Sequence, residues 1–512
     1  MRTRVSLLLF AGGLVLPYIV AQFQPYPGYL DADYYFVGGA RLASGYGFSE
    51  PFIWNYLENP SSVIHPSHGY WMPLASIVAA GSMLVTGEAT YGGARLVFLL
   101  IAAFVPVLTA HLSYALSRQE GLAALSGLLA IFSVYHAPFV GVTDNFGIYM
   151  LLGGASLLLA LRSGLGFWLG VLAGLMTLAR ADGILWLALG LGHVVLRERR
   201  PGAVGSVVRP GLVVVAGFSL VMLPWFLRNV AAFGSPLAPG GSRVLWLGSY
   251  DEIFSYPASA LSFGKWIASG PGEILRDRLW AAGQNLQNAI AAHGSILLFP
   301  FIVAGIWLRR DKAAVRIAAA GWLALFLGMT VLLPFAGARG GFFHAGAAFQ
   351  PMWWALAPVG LSAAVESARR RGLFTVGAQG VFRAALVLAV VILTAYVLWL
   401  RIGKLGWGEG EALYPRIDAQ LQEHGAGGGD IVVVRNPAGY YLSTGRSAIV
   451  IPFDGPETIQ AAAARYGARF LVLEPRGTLP RTRALYEHPE NVAGFLYLGD
   501  VDDTRLFEIV SR

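Results

Sequence analysis

Long apolar segments separated by short polar ones fill the first 400 residues of the chain. A transmembrane helix needs about 20 mainly apolar residues, and about eleven segments approach that length. They cover residues 5–21, 94–116, 120–139, 145–162, 165–179, 183–196, 210–232, 291–308, 314–334, 350–367 and 380–400. The pattern predicts an α-helical polytopic membrane protein with about 11 transmembrane helices.

Arginine positions indicate how these segments are oriented. Lys and Arg are enriched in cytoplasmic loops, and basic runs lie at 2–4, 197–200, 309–316 and 369–371. The N-terminus and these runs are therefore expected in the cytoplasm. Counting crossings places outside the residues 22–93, 140–144, 180–182, 233–290, 335–349 and 401–512. The apolar segment 71–87 is expected to lie at the outer interface, because a full crossing there would turn every later basic run outward.

From about residue 405 the pattern changes to short runs. Three strand-like runs and one helical pattern lie at 430–435, 448–453, 469–474 and 457–466. Strands that alternate with helices are typical of α/β domains with a partly parallel sheet. We therefore expect a transmembrane module over residues 1–404, with interfacial helices in its first external loop (22–93), and a small extracytoplasmic three-layer α/β domain over 405–512.

Composition narrows the class of protein. Of all residues, 56% are hydrophobic and 13% are charged, against about a quarter charged in soluble domains, so a soluble protein is excluded. The net charge of +8 lies largely in runs beside apolar segments, so no nucleic-acid partner is expected. The absence of cysteine excludes disulfides and thiolate metal sites. Lysine occurs only at Lys265, Lys312 and Lys404, an arginine-rich usage that favours a prokaryotic plasma membrane.

The first predicted external loop and a later short loop carry acidic candidates for chemistry. The first contains Asp31 and Asp33, with His65 and His68 among many aromatic residues. Asp31 is equally well interpreted as a helix N-cap. Asp144 is either a helix cap or, because ionisable residues at membrane depth are costly, a functional group.

Other external loops carry cations. Arg180 and Asp182 are close enough for a local ion pair, Arg228 ends an apolar segment, and Arg339 and His344 share a glycine-rich stretch. Such cations either reach the membrane surface while their stems stay in lipid or bind a phosphate, whose oxygens suit the arginine fork.

The order of these elements resembles the GT-C superfamily of glycosyltransferases that use polyprenyl-phosphate sugars, in particular its protein mannosyltransferase and aminoarabinose transferase branch. Motifs similar to those of the family occur at Asp31–Tyr35 (acidic), Ala40–Gly47 (A-R-x-L-x-x-G-x-G) and His68–Leu74 (P-L-x-Y-W). Asp144 follows the third predicted span, like the family's second acid. The similarity covers roughly residues 1–400 by order of elements. Two departures are Ala32 directly after the first acid and a histidine in place of a lysine before the third motif.

The resemblance implies a fold, a reaction and roles for residues. It implies transfer of a sugar from a polyprenyl-phosphate donor to a hydroxyl on a glycan, lipid or protein at the outer face of the membrane. The transfer would invert the anomeric carbon in one displacement, with Asp31 as general base and Asp144 as second acid. Asp33 is the reserve base, because residues two apart face different sides. The lipid phosphate is expected to contact His65, His68, Arg228, Arg339 and His344.

The sequence leaves open whether the protein binds a metal ion, and it allows two alternatives to a transferase. Oligosaccharyltransferase relatives use a divalent ion held by carboxylates whereas the mannosyltransferase branch does not, and the spacing here specifies no metal ligands. The alternatives are a non-catalytic lipid or solute transporter, and a lipid-linked glycan polymerase or ligase. The acidic first loop favours the transferase over both.

Overall fold

The protein is described by a computed structural model covering residues 1–162, 164–198, 205–475, 478 and 480–510. Helices dominate up to residue 404. The helices are α1 Thr3–Ala21, α2 Leu30–Ala43, α3 Leu74–Thr86, α4 Tyr91–Ser117, α5 Glu120–Phe132, α6 Asn145–Leu159, α7 Gly166–Ala179, α8 Ile184–Glu198, α9 Gly205–Phe233, α10 Phe263–Ala268, α11 Pro271–Asn288, α12 Phe299–Leu308, α13 Ala313–Leu327, α14 Pro334–Ala336, α15 Phe342–Gly346, α16 Gln350–Arg370, α17 Ala378–Leu398, α18 Glu409–Glu423, α19 Pro437–Thr444, α20 Pro456–Tyr466 and α21 Arg483–Glu487.

Several helices suit a membrane by length and composition. Within the described residues, five are long and apolar enough to cross one, namely Thr3–Ala21, Tyr91–Ser117, Val207–Phe233, Ala313–Leu332 and Ala378–Glu423. Shorter apolar helices such as Asn145–Leu159 and Gly166–Ala179 accompany them. The predicted class, an α-helical polytopic membrane protein, is confirmed, and the total of eleven spans stays a prediction.

Two predicted spans are interrupted. In the span predicted over 120–139, helix α5 ends at Phe132, and Ser133 and Val134 have positive φ angles of 44° and 46°, so the prediction is wrong in its C-terminal part. The second is the span predicted over 291–308. Residues Ala289–His293 form a π-helical turn after α11, and α12 begins only at Phe299. Between them Ser295 and Ile296 have positive φ angles of 44° and 56°, which a right-handed helix does not contain. The continuous helix predicted over 291–308 is therefore wrong in its N-terminal part.

The first external loop folds into helices and a small sheet. Helix α3 has 13 residues and is therefore about 20 Å long, shorter than the roughly 30 Å hydrocarbon core of a bilayer. It packs against α2 and α4. The interfacial position of the segment 71–87 stays a prediction.

The chain also forms a two-stranded and a six-stranded sheet. The strands are β1 Ser49–Glu50, β2 Phe52–Ile53, β3 His65–Pro66, β4 Ile431–Val434, β5 Ala448–Val450, β6 Ala468–Leu473, β7 Phe495–Val501 and β8 Thr504–Ile509. The large sheet has the order β2-β5-β4-β6-β8-β7. Its first four strands are parallel, and β8 is antiparallel to both neighbours. Strands β4 to β6 and helix α20 lie where the sequence predicts them.

The two faces of the large sheet are covered by different helices. Alternate residues of β4 point to opposite faces, so Val432 packs with Tyr414 of α18 whereas Val433 packs with Ile459 of α20. The predicted three-layer, partly parallel α/β arrangement is thus present. Strand β2 comes from the first external loop, where Phe52 pairs with Ala448. The division of domains at residue 405 stays a prediction.

Candidate active site

Three acidic and histidine side chains from separate parts of the chain meet outside the predicted spans. Asp31 lies in the first turn of α2, Asp144 directly before α6, and His344 in α15. Nδ1 of His344 lies 3.9 Å from Oδ2 of Asp31, and its Nε2 lies 4.0 Å from Oδ2 of Asp144. The structure therefore brings together three residues that the sequence singles out. We call these three residues the acidic centre.

Helix capping fixes the orientation of Asp144. Its Oδ1 accepts a hydrogen bond from the backbone N–H of Asn145 at 2.5 Å, at the N-terminus of α6. Its Oδ2 accepts from the hydroxyl of Tyr29 at 2.6 Å, and the side chain is only 1% exposed. The cap and the functional interpretation are therefore compatible, because capping holds this carboxylate beside His344.

Asp31 is the most accessible group of the acidic centre. Tyr29, and not Asp31, occupies the N-cap position of α2, so the N-cap interpretation of Asp31 is wrong. In the first helical turn a carboxylate is favoured by the unpaired backbone N–H groups. The Asp31 side chain is 28% exposed, which leaves it open to an incoming molecule.

An arginine pair borders the acidic centre. Between α7 and α8, Nη2 of Arg180 lies 2.8 Å from Oδ2 of Asp182, which confirms the predicted ion pair. Nη1 of Arg180 also lies 3.2 Å from Nδ1 of His344. A guanidinium only donates, so Nδ1 of His344 accepts and its proton sits on Nε2, towards Asp144. The hydroxyl of Tyr149 donates to Asp182 at 2.6 Å.

The electrostatics of the acidic centre favour proton transfer near neutral pH. Burial and the neighbouring Asp144 raise the pKa of Asp31 to about 7, against the opposing charge of Arg180. Burial also raises the pKa of Asp144, although Tyr29 and Arg180 oppose the rise. Burial and the repulsion of Arg180 hold the pKa of His344 well below its usual range, so its imidazole is neutral. A carboxyl that titrates near 7 suits a general base.

A second cation stands at the edge of the acidic centre. Arg339 is exposed, and its guanidinium lies 5.8 Å from the ring centroid of Tyr250. Burial and the nearby charge of Asp31 raise the pKa of Tyr250 to about 12, while Arg339 opposes the rise. Arg339 thus faces solvent with one aromatic ring between it and Asp31.

Asp33 belongs to a different contact. It is fully buried, and its Oδ2 accepts a hydrogen bond from Nδ2 of Asn436 at 2.7 Å. Burial and the charge of Glu411 raise its pKa well above the usual range. Of the two aspartates in α2, only Asp31 takes part in the acidic centre.

His65 lies in a second cluster, which we call the sealed cluster (Glu50, Glu58 and His65). The pairing of β1 with β3 sets Glu50 opposite His65, and Nε2 of His65 lies 2.9 Å from Oε1 of both glutamates. Its Nδ1 contacts the carbonyl oxygen of Val63 at 3.0 Å. The two carboxylates raise the pKa of His65 well above its usual range despite burial, so an imidazolium bridges them.

His68 and Arg228 lie away from the acidic centre. The ring of His68 is buried between the hydroxyls of Ser67 and Ser76, at 2.7 and 3.1 Å, and burial lowers its pKa to about 3. Arg228 donates to the carbonyl oxygens of Phe48 and Ser67 at 3.2 and 2.8 Å. Both residues hold the first external loop against the end of α9.

Sequence reasoning missed several neighbours of the acidic centre. Tyr29 and Tyr149 carry no motif signal, because isolated tyrosines near membrane interfaces are common. The contact of Arg180 with His344 joins residues 164 positions apart, and no periodicity relates them. The sequence gives one indication of this contact. Arg180 and Asp182 lie in a predicted external loop, as Asp31 and Asp144 do.

The acidic centre is a suitable donor set for a divalent cation. Two carboxylates and a neutral imidazole are ligands that Mn²⁺ and Zn²⁺ accept, and their ligand atoms all lie within 4.8 Å of one another. Burial raises the pKa of Asp31 and of Asp144 although Arg180 opposes both rises, and a bound cation would further favour their charged forms. Because Arg180 already contacts His344, Asp31 and Asp144 would be the principal ligands.

No protein-family model and no curated protein matches the chain, but solved structures do. ArnT from Cupriavidus metallidurans bound to undecaprenyl phosphate matches with a TM-score of 0.55 and 14% identity, over 100% of this chain and 99% of that one. An Archaeoglobus fulgidus oligosaccharyltransferase in complex with Zn and sulfate matches with a TM-score of 0.57 and 12% identity, over 95% and 71%.

A third structure extends the comparison. The archaeal oligosaccharyltransferase AglB from Archaeoglobus fulgidus, in complex with an inhibitory peptide and a dolichol-phosphate, matches with a TM-score of 0.53 and 13% identity, over 91% of this chain and 69% of that one. At such identities the likeness concerns the fold. The chain therefore has the fold of these GT-C membrane proteins, and the resemblance inferred from the order of sequence elements is confirmed at that level.

Proposed function

We propose that the protein is a membrane glycosyltransferase that moves a sugar from a polyprenyl-phosphate donor to a hydroxyl acceptor at the outer face of the membrane. The observation that carries this proposal is the acidic centre, where an accessible carboxyl with a pKa of about 7 stands near Arg180. The fold supports it, because ArnT was solved with undecaprenyl phosphate and AglB with a dolichol-phosphate.

In the proposed reaction Asp31 is the general base. The acceptor oxygen attacks the anomeric carbon while its proton passes to the carboxylate of Asp31, and the bond from carbon to the phosphate oxygen breaks with its electron pair on the phosphate. The products are the glycosylated acceptor and the polyprenyl phosphate, with the anomeric carbon inverted. General-base catalysis of this kind contributes about 10²–10⁴-fold in rate.

The leaving phosphate needs positive charge and no general acid. Arg180 contacts His344 of the acidic centre, and the exposed Arg339 lies against Tyr250. The fork of a guanidinium matches phosphate oxygens. Fixed donors aimed at developing charge contribute several kcal/mol. The geometry favours these two arginines over Arg228 and His68, whose polar atoms are already bonded to the first external loop. The assignment of Arg228, His65 and His68 to the phosphate stays a sequence-based prediction.

Asp144 acts on the base and not on the substrate in this proposal. It is almost fully buried and held by Tyr29 and Asn145, and its negative charge keeps the pKa of Asp31 high. A divalent cation held by Asp31 and Asp144 would supply positive charge for the acceptor or the phosphate. One solved structure of the same fold, the oligosaccharyltransferase described above, is a complex with Zn and sulfate, which supports a cation test of this site.

A panel assay tests the proposal. The purified protein would be incubated with radiolabelled polyprenyl-phosphate sugars and a membrane extract, as wild type and as Asp31→Asn, Asp33→Asn and Asp144→Asn. Asp502→Asn is the matched control, because Asp502 pairs with Arg416 on the exposed surface of the C-terminal sheet.

We expect transfer in the wild type and the control, and a loss of at least about 100-fold in Asp31→Asn. Full activity in Asp31→Asn with loss in Asp33→Asn would move the base to Asp33. An absence of turnover with every donor, in folded wild-type protein, would contradict the transferase and favour the transporter, which reconstituted vesicles would then test.

A further inference from the structure

The first external loop is bonded along much of its length to the residues after 404, which we call the C-terminal segment. Besides the pairing of β2 with β5, hydrogen bonds that involve a side chain from one segment or the other join the loop to residues after 404. These hydrogen bonds join Trp407 Nε1 to Tyr26 O (2.9 Å), Gly28 N to Glu411 Oε1 (3.1 Å), Asn436 Nδ2 to Asp33 Oδ2 (2.7 Å), Tyr56 OH to Val450 O (2.5 Å) and Tyr466 OH to Pro60 O (3.0 Å). Three of them surround the start of α2, which carries Asp31.

Close packing at the start of α2 requires glycine at two positions. Gly28 has a positive φ of 90°, and a Cβ there would lie 2.3 Å from the indole nitrogen of Trp407. A Cβ on Gly439, in the first turn of α19, would lie 2.9 Å from Oδ2 of Asp33. Larger residues at either position would push α2 away from the C-terminal segment.

Asp33 and Glu411 form the buried part of this contact. Asp33 is 0% and Glu411 is 3% exposed. Oδ1 of Asp33 is buried without a hydrogen-bond partner, while Asn436 and Gly28 donate to the other oxygens of the pair. Glu411 lies beside Asp33, so the pair links α18 to the start of α2.

We propose that Asn436 and Glu411 are positioning residues for Asp31, acting through Asp33 and the backbone at Gly28. This inference rests on the proposed function of Asp31 as base. Two residues apart on an α-helix correspond to a rotation of about 200°, so the C-terminal segment holds one side of α2 while Asp31 faces the acidic centre on the other. The hydrogen bond from Asn436 to Asp33 fixes the rotation of α2 about its axis. The direction of the Asp31 carboxylate follows from that rotation.

The geometry explains why the contact matters for rate more than for binding. A displacement of about 1 Å at a reacting group can cost roughly 100-fold. Asn436 and Glu411 touch neither Arg180 nor Arg339 in the described residues, so loss of the contact should leave donor affinity nearly unchanged. The expected signature is a lower kcat at constant KM for the donor.

The test compares Asn436→Ser, Asp33→Ala, their double variant and Asp33→Asn in the full-length protein. Ser at 436 keeps the N-cap acceptor that the Asn436 side chain offers to Gly439 N but is too short to reach Asp33. Asn at 33 can still accept from Asn436 and donate to Glu411. Arg416→Ala, on the exposed face of the same helix as Glu411, is the matched control.

We expect Asn436→Ser and Asp33→Ala each to lower kcat roughly 10- to 100-fold, with KM for the donor within about twofold. The double variant should lose no more than either single one, because both break the same contact. Asp33→Asn should recover most of kcat, and Arg416→Ala should match the wild type. Hydrogen–deuterium exchange at residues 28–43 should rise in the first three variants.

Two results would overturn the inference. One is wild-type kcat in Asn436→Ser and Asp33→Ala while Asp31→Asn is inactive, and the other is unchanged exchange over residues 28–43. If no variant and no wild type transfers a sugar, the proposed function fails by itself, and the exchange measurement still decides whether the C-terminal segment orders α2.

Discussion

The acidic centre and the sealed cluster have the same composition, two carboxyls and one histidine, and opposite electrostatics. In the sealed cluster the ring of His65 lies 2.9 Å from both glutamates and is an imidazolium. In the acidic centre the carboxylates lie 3.9 and 4.0 Å from His344, and Arg180 lies closer, at 3.2 Å. Two carboxylates outweigh burial at His65, whereas burial and Arg180 together keep His344 neutral.

The two clusters also differ in how far their side chains are exposed to solvent. The three side chains of the sealed cluster are 3 to 6% exposed, whereas Asp31 and His344 are 28% and 17% exposed. A buried imidazolium between two carboxylates has most of its charge matched inside the protein. Burial raises the pKa of Glu50 in the sealed cluster as it raises those of Asp31 and Asp144. The two clusters therefore differ in exposure and in the charge of their histidine, and the more exposed acidic centre is open to a proton, a cation or a substrate. This difference favours a structural role for the sealed cluster and a role in catalysis or binding for the acidic centre.

The strongest test of this comparison removes one carboxylate from the acidic centre. Asp31→Asn should lower the transfer rate by about 10²–10⁴-fold, the usual contribution of a general base. The unfolding temperature should stay at the wild-type value or rise, because the variant replaces a carboxyl that is costly to ionise where it stands. An Asp31→Asn protein that unfolds early would place Asp31 with the structural groups instead.

In the sealed cluster, loss of a charged group is expected to lower the stability of the protein. His65→Gln leaves two buried carboxylates without their cation, and breaking a buried ion pair costs about 3–5 kcal/mol. Chemical unfolding in detergent should show this loss, and intrinsic fluorescence would follow it through Trp54 and Trp71 nearby. Wild-type stability in His65→Gln would show that the imidazolium is not needed to hold the loop.

A smaller difference between the two clusters is expected in their contribution to the affinity for a divalent cation. Chelator-treated wild-type protein should bind Mn²⁺, as seen by paramagnetic resonance, and Asp31→Asn should bind it at least about tenfold more weakly, since one of two charged ligands is lost. Glu50→Gln is the matched control in the sealed cluster and should bind as the wild type does. Binding lost in Glu50→Gln and kept in Asp31→Asn would assign the cation to the sealed cluster.

The sequence predicts the elements of this protein better than their contacts. Most apolar segments and the runs at β4, β5 and β6 follow local patterns of hydrophobicity and appear in the structure close to their predicted bounds, whereas the helices predicted over 120–139 and 291–308 are shorter than predicted. Strand β2 has two residues, too few for an alternating pattern, and it exists because the edge of β5 is available for pairing. Such tertiary effects leave no local signal.

The candidate site shows the same limit. Asp31, Asp144 and His344 were singled out because they lie in external loops of a recognisable order. Arg180 was seen only as the partner of Asp182, since its approach to His344 depends on the packing of α7 and α8 against α6 and α13. For His65 and His68 the residue type predicts phosphate binding, but tertiary contacts decide their charge states. Two carboxylates raise the pKa of His65 against the effect of burial, whereas burial lowers the pKa of His68.

The pH dependence of the transfer rate tests the central claim most directly. The pKa of Asp31 is raised to about 7, so this carboxyl is protonated below that pH and available as a base above it. The rate, measured from pH 5.5 to 8.5 with saturating donor, should fall about tenfold for each unit below 7 and level off above. A rate that stays flat over this range, or that falls only below about pH 5, would contradict the assignment of Asp31 as the base.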